Sequence, residues 1–205
     1  MLAWWVVHWT EVVGFVTGGL CVLLAARRLI WTYPLGIANN IVFAGLFLDH
    51  ALYADAGLQV VYLVLGVTGW VGWARRPAVD DRVAIESLPR RVVPVLIAVA
   101  VVGTVVIALL LHRLTDSTTE TADAATTTVS LVAQVMMNRR WLQSWFVWIA
   151  VDVAYVGLYL SKGLTITALL YLLFIGCCVL GYRTWRHAPP PVPTSTQDPV
   201  PVVGR

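Results

Sequence analysis

The sequence predicts an all-α integral membrane protein of seven transmembrane helices. Three observations predict it: composition, the spacing of charges, and an internal repeat that aligns without a gap. The chain is 59% hydrophobic and 12% charged, against about 25% charged in a typical soluble domain. Its charges cluster, leaving apolar stretches of roughly 20 residues, the length that crosses about 30 Å of hydrocarbon. A soluble chain this apolar has too little polar surface to stay in water. The net charge of +3 suggests no nucleic-acid partner, because the basic residues gather at helix ends.

In chain order the expected spans are about 6–26, 32–48, 52–74, 92–112, 119–138, 141–161 and 164–186. The connections at Asp49-His50-Ala51 and Ser161-Lys162-Gly163 are short and force antiparallel neighbours. Segment 75–91 (RRPAVDDRVAIESLPRR) is the one charged linker long enough to join two halves. From Ala188 the chain is Pro-rich and aperiodic, as in a disordered tail. The N-terminus lacks the basic region and cleavage site of a signal peptide, so Met1 onward reads as mature chain. Cys21, Cys177 and Cys178 lie in apolar runs and form no ligand set, so they read as small apolar fillers. Of the 14 Lys and Arg residues, 12 fall on one side of a seven-span arrangement and only Arg113 and Lys162 on the other. That asymmetry puts the N-terminus outside and the C-terminus in the cytoplasm.

Shifting the chain by 112 residues lays segment 27–59 on segment 139–171. The shift pairs Arg27 with Arg139, Arg28 with Arg140, Gly45 with Gly157, Leu52 with Leu164, Gly69 with Gly181 and Trp73 with Trp185; upstream, Glu11 meets Asp123. Residues 1–74 are therefore read as a first three-helix repeat and 113–187 as a second. Residues 75–112 form a charged linker plus connecting helix, and 188–205 a cytoplasmic tail. Three spans per unit is an odd number, so the fourth span returns the chain and leaves the two units parallel. Parallel repeats of this kind occur in SWEET-type transporters, with the substrate site between repeats.

Several spans carry a polar and aromatic stripe at steps of three and four residues, which places each stripe on one helix face. Asp152 is the sharpest single residue, since a carboxylate near mid-span costs several kcal/mol unless paired or hydrated. No Lys or Arg lies at its depth. Asn40 holds the matching place in the first repeat, next to Asn39. Gln59 and Gln134 are similar mid-span amides that could complete a ring of hydrogen-bonding groups. Trp148, Tyr155 and Tyr171 sit too deep for the interfacial belt that accounts for Trp4, Trp5, Trp9, Trp73, Trp185 and Trp141. Tyr62, with Gln59, belongs to the stripe of span three, and Thr127 to that of span five. Aromatic faces suit a flat ring, electron-rich ones a cationic ring, and carboxylate and amides suit sugar hydroxyls. A phosphate would want buried basic groups, which the spans lack. The expected ligand is an unphosphorylated, polar, ring-containing solute.

The runs WTYPLGIANN (31–40), LYADAGLQVVYLVLGVTGWVGW (52–73) and the block 138–185 beginning NRRWLQSWFVWIAVDVAYVGLYLSKGL resemble the PnuC family of vitamin-precursor transporters. The resemblance covers most of residues 9–187 and is weakest over 75–130. It implies a 3+1+3 parallel-repeat, SWEET-related fold in the cytoplasmic membrane. It also implies facilitated diffusion of nicotinamide riboside, trapped inside by phosphorylation, with thiamine or riboflavin carried by relatives. The candidate substrate-binding residues are Asn40, Gln59, Tyr62, Thr127, Gln134, Trp148, Asp152, Tyr155 and Tyr171. No cofactor or metal is expected. The expected partners are the small-molecule substrate and the lipid bilayer, with a homo-oligomer left open. Two rivals stand beside uniport: proton-coupled symport through Asp152, and a non-transport membrane subunit. His8, His50, His112 and His187 are scattered, and no HExxH, GxSxG or phosphate loop appears, which argues against an enzyme.

Overall fold

The computed structural model describes residues 13, 16–49, 53–75, 78–79, 82–114, 120–161, 163 and 165–188. Most of the start of the first expected span lies outside the described residues, as do Trp4, Trp5, Trp9, His8, Glu11, the residues 50–52, Lys162, Leu164 and the Pro-rich tail from 189.

Seven helices are described: α1 (Val16–Ala26), α2 (Thr32–Asp49), α3 (Tyr53–Ala74), α4 (Val93–Leu114), α5 (Glu120–Asn138), α6 (Ser144–Ser161) and α7 (Thr165–Arg186). The chain is a multi-pass membrane protein, for α3, α4, α6 and α7 are each long and apolar enough to cross a bilayer. Outside the helices, a two-stranded hairpin pairs β1 (Ala78–Val79) with β2 (Arg82–Val83) in the linker.

Helix α4 exposes valine and leucine over most of its surface, from Val95 to Leu110, as a lipid-facing helix does, and packs only a stripe through Leu96, Ala100 and Gly103 toward α5. Helix α5 is its opposite. Its sequence, ETADAATTTVSLVAQVMMN, is among the least apolar of the seven, yet Ala124, Thr126, Thr128, Ser130, Val132, Ala133, Met136 and Met137 are buried. It packs against α3, α4 and α6. Small residues let the neighbours approach, as small residues do at helix interfaces in membranes. At Gly103 of α4, a Cβ would lie 2.6 Å from Thr128 Cγ2. The threonine hydroxyls are satisfied on their own helix, Thr128 donating to the Ala124 carbonyl at 2.8 Å and Thr126 to that of Ala122 at 2.9 Å.

The corners α1–α2 and α5–α6 match bond for bond. Among the described residues, Arg28 (φ 60°) and Arg140 (φ 61°) are the non-glycine residues with left-handed backbone, a conformation costing roughly 1–2 kcal/mol. In the first corner the Arg28 N–H donates to Ala25 at 2.9 Å and Leu29 to Leu24 at 3.0 Å; in the second, Arg140 donates to Met137 at 2.8 Å and Trp141 to Met136 at 3.1 Å. These paired bonds end each helix in a Schellman motif. The next turn matches too, with Thr32 donating to Leu29 and Ser144 to Trp141. Each of these backbone bonds in the first corner thus has its counterpart 112 residues on.

Both arginines then reach the linker. Arg28 Nη1 meets the Val83 carbonyl at 3.5 Å, and Arg140 Nη2 pairs with Glu86 Oε1 at 2.6 Å. The linker backbone is bonded into the second corner: Glu86 donates to Arg140 at 3.0 Å, Leu142 donates to Glu86 at 2.9 Å, and Leu88 donates to Gln143 Oε1 at 2.8 Å. Segment 83–88 is therefore an ordered clasp across both corners.

Above the corners sits a chain of four aromatic rings. Tyr33 meets Trp73 edge-on at 5.1 Å, Trp73 meets Trp185 at 6.1 Å, and Trp185 meets Trp145 edge-on at 5.2 Å. The interfacial reading of Trp73, Trp185 and Trp141 is corrected here: all three are buried, Trp73 and Trp185 to 1% exposure. For Trp73 and Trp185 the cause is glycine one turn earlier; Trp141 instead packs with Val132 and Met136. A Cβ at Gly69 would strike the Tyr33 ring, and one at Gly181 would lie 2.5 Å from the Trp145 ring. Those bare faces let the rings turn inward. Trp70, one face round, is exposed instead.

Candidate functional site

Next to this aromatic chain the bundle holds a cavity of about 410 Å³ lined by α1, α2, α3, α5, α6 and α7. The volume falls within the range of small-molecule sites, roughly 300–1,000 Å³. Tyr33, Trp145, Met137 and Ala25 form its end against the rings.

From α2 come Gly36, Asn39 and Asn40; from α3, Tyr62 and Gly66; from α5, Ser130 and Gln134. Helix α6 gives Trp148, Asp152 and Tyr155, and α7 gives Tyr171, Phe174 and Cys178. Seven of the nine expected residues therefore line one space: Asn40, Tyr62, Gln134, Trp148, Asp152, Tyr155 and Tyr171. Gln59 and Thr127 are not among the lining residues. Each lies one turn from the residue on its helix that does line the cavity, Tyr62 and Ser130. Steps of three and four keep a stripe on one face but do not say how far along the helix the cavity extends. Phe43 and Phe47, further up the α2 stripe, instead meet each other at 5.8 Å.

Asp152 is 6% exposed. Its Oδ2 accepts from the Cys178 thiol at 3.6 Å. A thiol is a weak donor, so the carboxylate retains most of its capacity to bind a ligand. Among the described residues, no Lys, Arg or His lines the cavity. Asn39 Oδ1 accepts from the Thr17 hydroxyl at 2.8 Å, which ties α1 to α2 and orients that amide. The Gln134 amide nitrogen donates to Asn138 Oδ1 at 3.0 Å, and Tyr33 Oη donates to the same oxygen at 3.2 Å. Asn138 Nδ2 in turn donates to the Leu65 carbonyl at 2.7 Å. Asn138 thus fixes Gln134 against α2 and α3 and leaves the Gln134 carbonyl oxygen available to the cavity.

One wall is aromatic. Tyr155 lies 4.9 Å from Tyr171 and 5.9 Å from Tyr159, Tyr159 lies 5.3 Å from Tyr171, and Phe174 stands edge-on to Tyr171 at 5.8 Å. The Tyr155, Tyr159 and Tyr171 rings form a triangular cluster, of which Tyr155 and Tyr171 line the cavity together with Asp152. Such a wall accepts a flat ring, and its negative faces together with one carboxylate favour a positive ring over an anionic one.

Cys178 lies on the α7 stripe with Tyr171 and Phe174, as the spacing predicts, but serves Asp152 as a thiol donor and not only as the expected apolar filler. Reasoning from the sequence missed one lining feature. Asn39 was noted only as a neighbour of Asn40, yet it lines the cavity and takes the Thr17 hydrogen bond. Its position one residue off the α2 stripe hid it.

Residues 8–187 match the family model described as nicotinamide mononucleotide transporter. The chain belongs to that family. Among curated relatives, the nicotinamide riboside transporter PnuC of Neisseria mucosa is 30% identical over 189 residues, covering 86% of this chain and 72% of the relative. The riboflavin/roseoflavin transporter RibM of Streptomyces davaonensis is 29% identical over 180 residues, covering 86% and 84%. PnuC of Escherichia coli is 25% identical over 205 residues, covering 88% and 86%. A crystal structure of the vitamin B3 transporter PnuC superimposes with a TM-score of 0.69 at 29% identity, covering 87% of this chain and 81% of that one. The family is thus one of transporters for nicotinamide riboside and related vitamins, carried on membrane-spanning helices.

Proposed function

We propose that this chain carries nicotinamide riboside across the cytoplasmic membrane by facilitated diffusion. The observation that carries the proposal is the lining of the cavity among the described residues: aromatic rings, amides from Asn39, Asn40 and Gln134, one carboxylate from Asp152, and no basic side chain. Nicotinamide riboside matches each part, with a flat cationic pyridinium, ribose hydroxyls and no phosphate. Trp148, Tyr155 and Tyr171 stack on the ring. Asp152 offsets its charge, and the amides bind ribose and carboxamide. A mononucleotide would bring a phosphate dianion next to Asp152 with no cation to receive it, which costs several kcal/mol in a poorly solvated site.

In this reading the fold is a 3+1+3 arrangement of parallel repeats, SWEET-related, with α4 as the connecting helix, seven spans, the N-terminus outside and the C-terminus inside. The matched corners, Gly69 with Gly181, and the Tyr33–Trp73 and Trp145–Trp185 pairs support two like halves. Transport is a rocking of one half against the other around the cavity. The aromatic chain acts as the cytoplasmic seal, and the clasp at Arg28, Glu86 and Arg140 tethers the two halves below it. The chain performs no catalysis; a cytoplasmic kinase traps the product.

The identity to the Streptomyces davaonensis protein favours riboflavin as the second reading. Isothermal titration of the purified protein with nicotinamide riboside, thiamine, riboflavin and nicotinamide mononucleotide separates these. The expected result is binding of nicotinamide riboside and none of the mononucleotide. Binding of riboflavin alone overturns the substrate assignment. In energy-free vesicles uptake should stop at equal concentrations; accumulation driven by a proton gradient, abolished by Asp152→Asn, makes the protein a symporter.

A further inference from the structure

Outside the cavity, a second cleft of about 440 Å³ opens between the ends of α3 and α5, bordered by Leu65, Thr68, Gly72, Arg75, Val135, Asn138, Arg139 and Arg140. Three guanidinium groups surround it. Arg140 is held by Glu86. Arg75 and Arg139 are exposed and make no ion pair among the described residues. The floor is bare because Gly72 has nothing within 4 Å of where a Cβ would stand. Beside the cleft, the neighbouring face of α3 carries a ridge of exposed valines, Val60, Val64, Val67 and Val71. Two unpaired cations at the end of an apolar, lipid-facing ridge are complementary to one kind of molecule. It has an anionic head at the level of the helix ends and hydrocarbon running along the valines. Basic pockets between helices on the cytoplasmic side bind acidic lipid head groups in this way.

We propose that this cleft binds the phosphodiester head group of an anionic phospholipid of the inner leaflet, with Arg75 and Arg139 on the phosphate and the acyl chains along α3. The proposal rests on the membrane orientation given above, which places the arginine-rich helix ends in the cytoplasmic head-group layer. It does not rest on the identity of the transported solute. The lipid would also brace α3 against α5 beside Asn138, the residue that ties both helices to the cavity.

Native mass spectrometry of the full-length protein, offered phosphatidylglycerol and phosphatidylcholine with the same acyl chains, tests it. The expected result is preferential retention of phosphatidylglycerol, weakened about 30-fold in Arg75→Gln/Arg139→Gln, two basic contacts being lost. Gly72→Trp should give the same loss by filling the cleft while leaving both charges in place. Equal retention of the two lipids, or unchanged retention in both variants, overturns the proposal. So does binding of soluble glycerol phosphate as tightly as the lipid, which would make the cleft a free-phosphate site. Nicotinamide riboside titrated into the same preparations keeps the two readings apart. Lipid preference without solute binding sinks the substrate assignment alone, and solute binding without lipid preference sinks this one.

Discussion

Gly181→Ala adds a single methyl group at the most tightly enclosed point of the second half. The new Cβ would lie 2.5 Å from Trp145 Cη2, 2.5 Å from Cζ2 and 2.7 Å from Cε2. Trp145 cannot easily yield: it is 1% exposed and stands edge-on against Trp185 at 5.2 Å. Overpacking of this kind costs about 1–3 kcal/mol, while replacing a mid-helix glycine by alanine returns about 0.5–1 kcal/mol. The net expectation is a loss of roughly 1–2 kcal/mol, a fall in Tm of about 2–8 °C for a chain of this length. Gly157→Ala, where nothing lies within 4 Å, is the control and should be neutral or slightly stabilising. Thermal unfolding in detergent measures both. Because Trp145 also lines the cavity, Gly181→Ala should weaken solute binding as well. Trp145→Phe, which removes the obstructing ring atoms, should restore part of the stability in a double-mutant cycle. The packing argument fails if Gly181→Ala and Gly157→Ala unfold at the same temperature.

Asp152→Asn should weaken nicotinamide riboside binding by about 10- to 100-fold, the loss of one charge-assisted contact, while a neutral flavin is unaffected; titration calorimetry on the two ligands reads the difference. Trp185→Phe should cost about 1–3 kcal/mol more than Trp73→Phe, since Trp185 Nε1 donates to the Ala25 carbonyl at 2.9 Å whereas Trp73 Nε1 is buried without a partner; comparison of the two melting curves checks it. Glu86→Gln should cost about 1 kcal/mol, modest because Glu86 is 37% exposed although its partner Arg140 is 5% exposed. Its more direct readout is faster proteolysis of the 75–91 linker.

Much of this arrangement was readable in the residues. Apolar runs bounded by charge gave helix limits close to those observed, because charged side chains mark where hydrocarbon ends. The 112-residue shift anticipated the paired corners at Arg28 and Arg140 and the paired glycines at 69 and 181. The inward face of α6 was legible because Asp152 cannot face lipid, and that residue set the register for Trp148 and Tyr155. Helix α6 itself begins at Ser144, not at 141, because the left-handed turn at Arg140 uses three residues that composition alone assigns to the span. Burial of Trp73 and Trp185 was not legible, since a tryptophan near a helix end looks the same whether it faces head groups or a glycine-floored core. The clasp at 83–88 was missed for a different reason. Its anchor is a backbone bridge between Glu86 and Trp141, and backbone pairing of so short a segment leaves no periodic trace.

Under the proposed function, the two halves agree at the corners and differ along the cavity, and the division follows the cost of change. At the corners, the rings and the glycines, a substitution in one half must be absorbed by packed neighbours within a few tenths of an ångström, so Gly69 and Gly181 face Tyr33 and Trp145 in equivalent geometry. The cavity wall is free of that constraint. Asn40 stands in one half where Asp152 stands in the other, and Val22 where Gln134 stands. A symmetric lining would present either two carboxylates, which repel in a poorly solvated space, or two amides, which leave a cation without a counter-charge. One acid and one amide is the combination that holds a singly charged ring and a neutral sugar together. On the proposed function, the asymmetry is the part of the molecule that would select the solute, and the repeat the part that would move it.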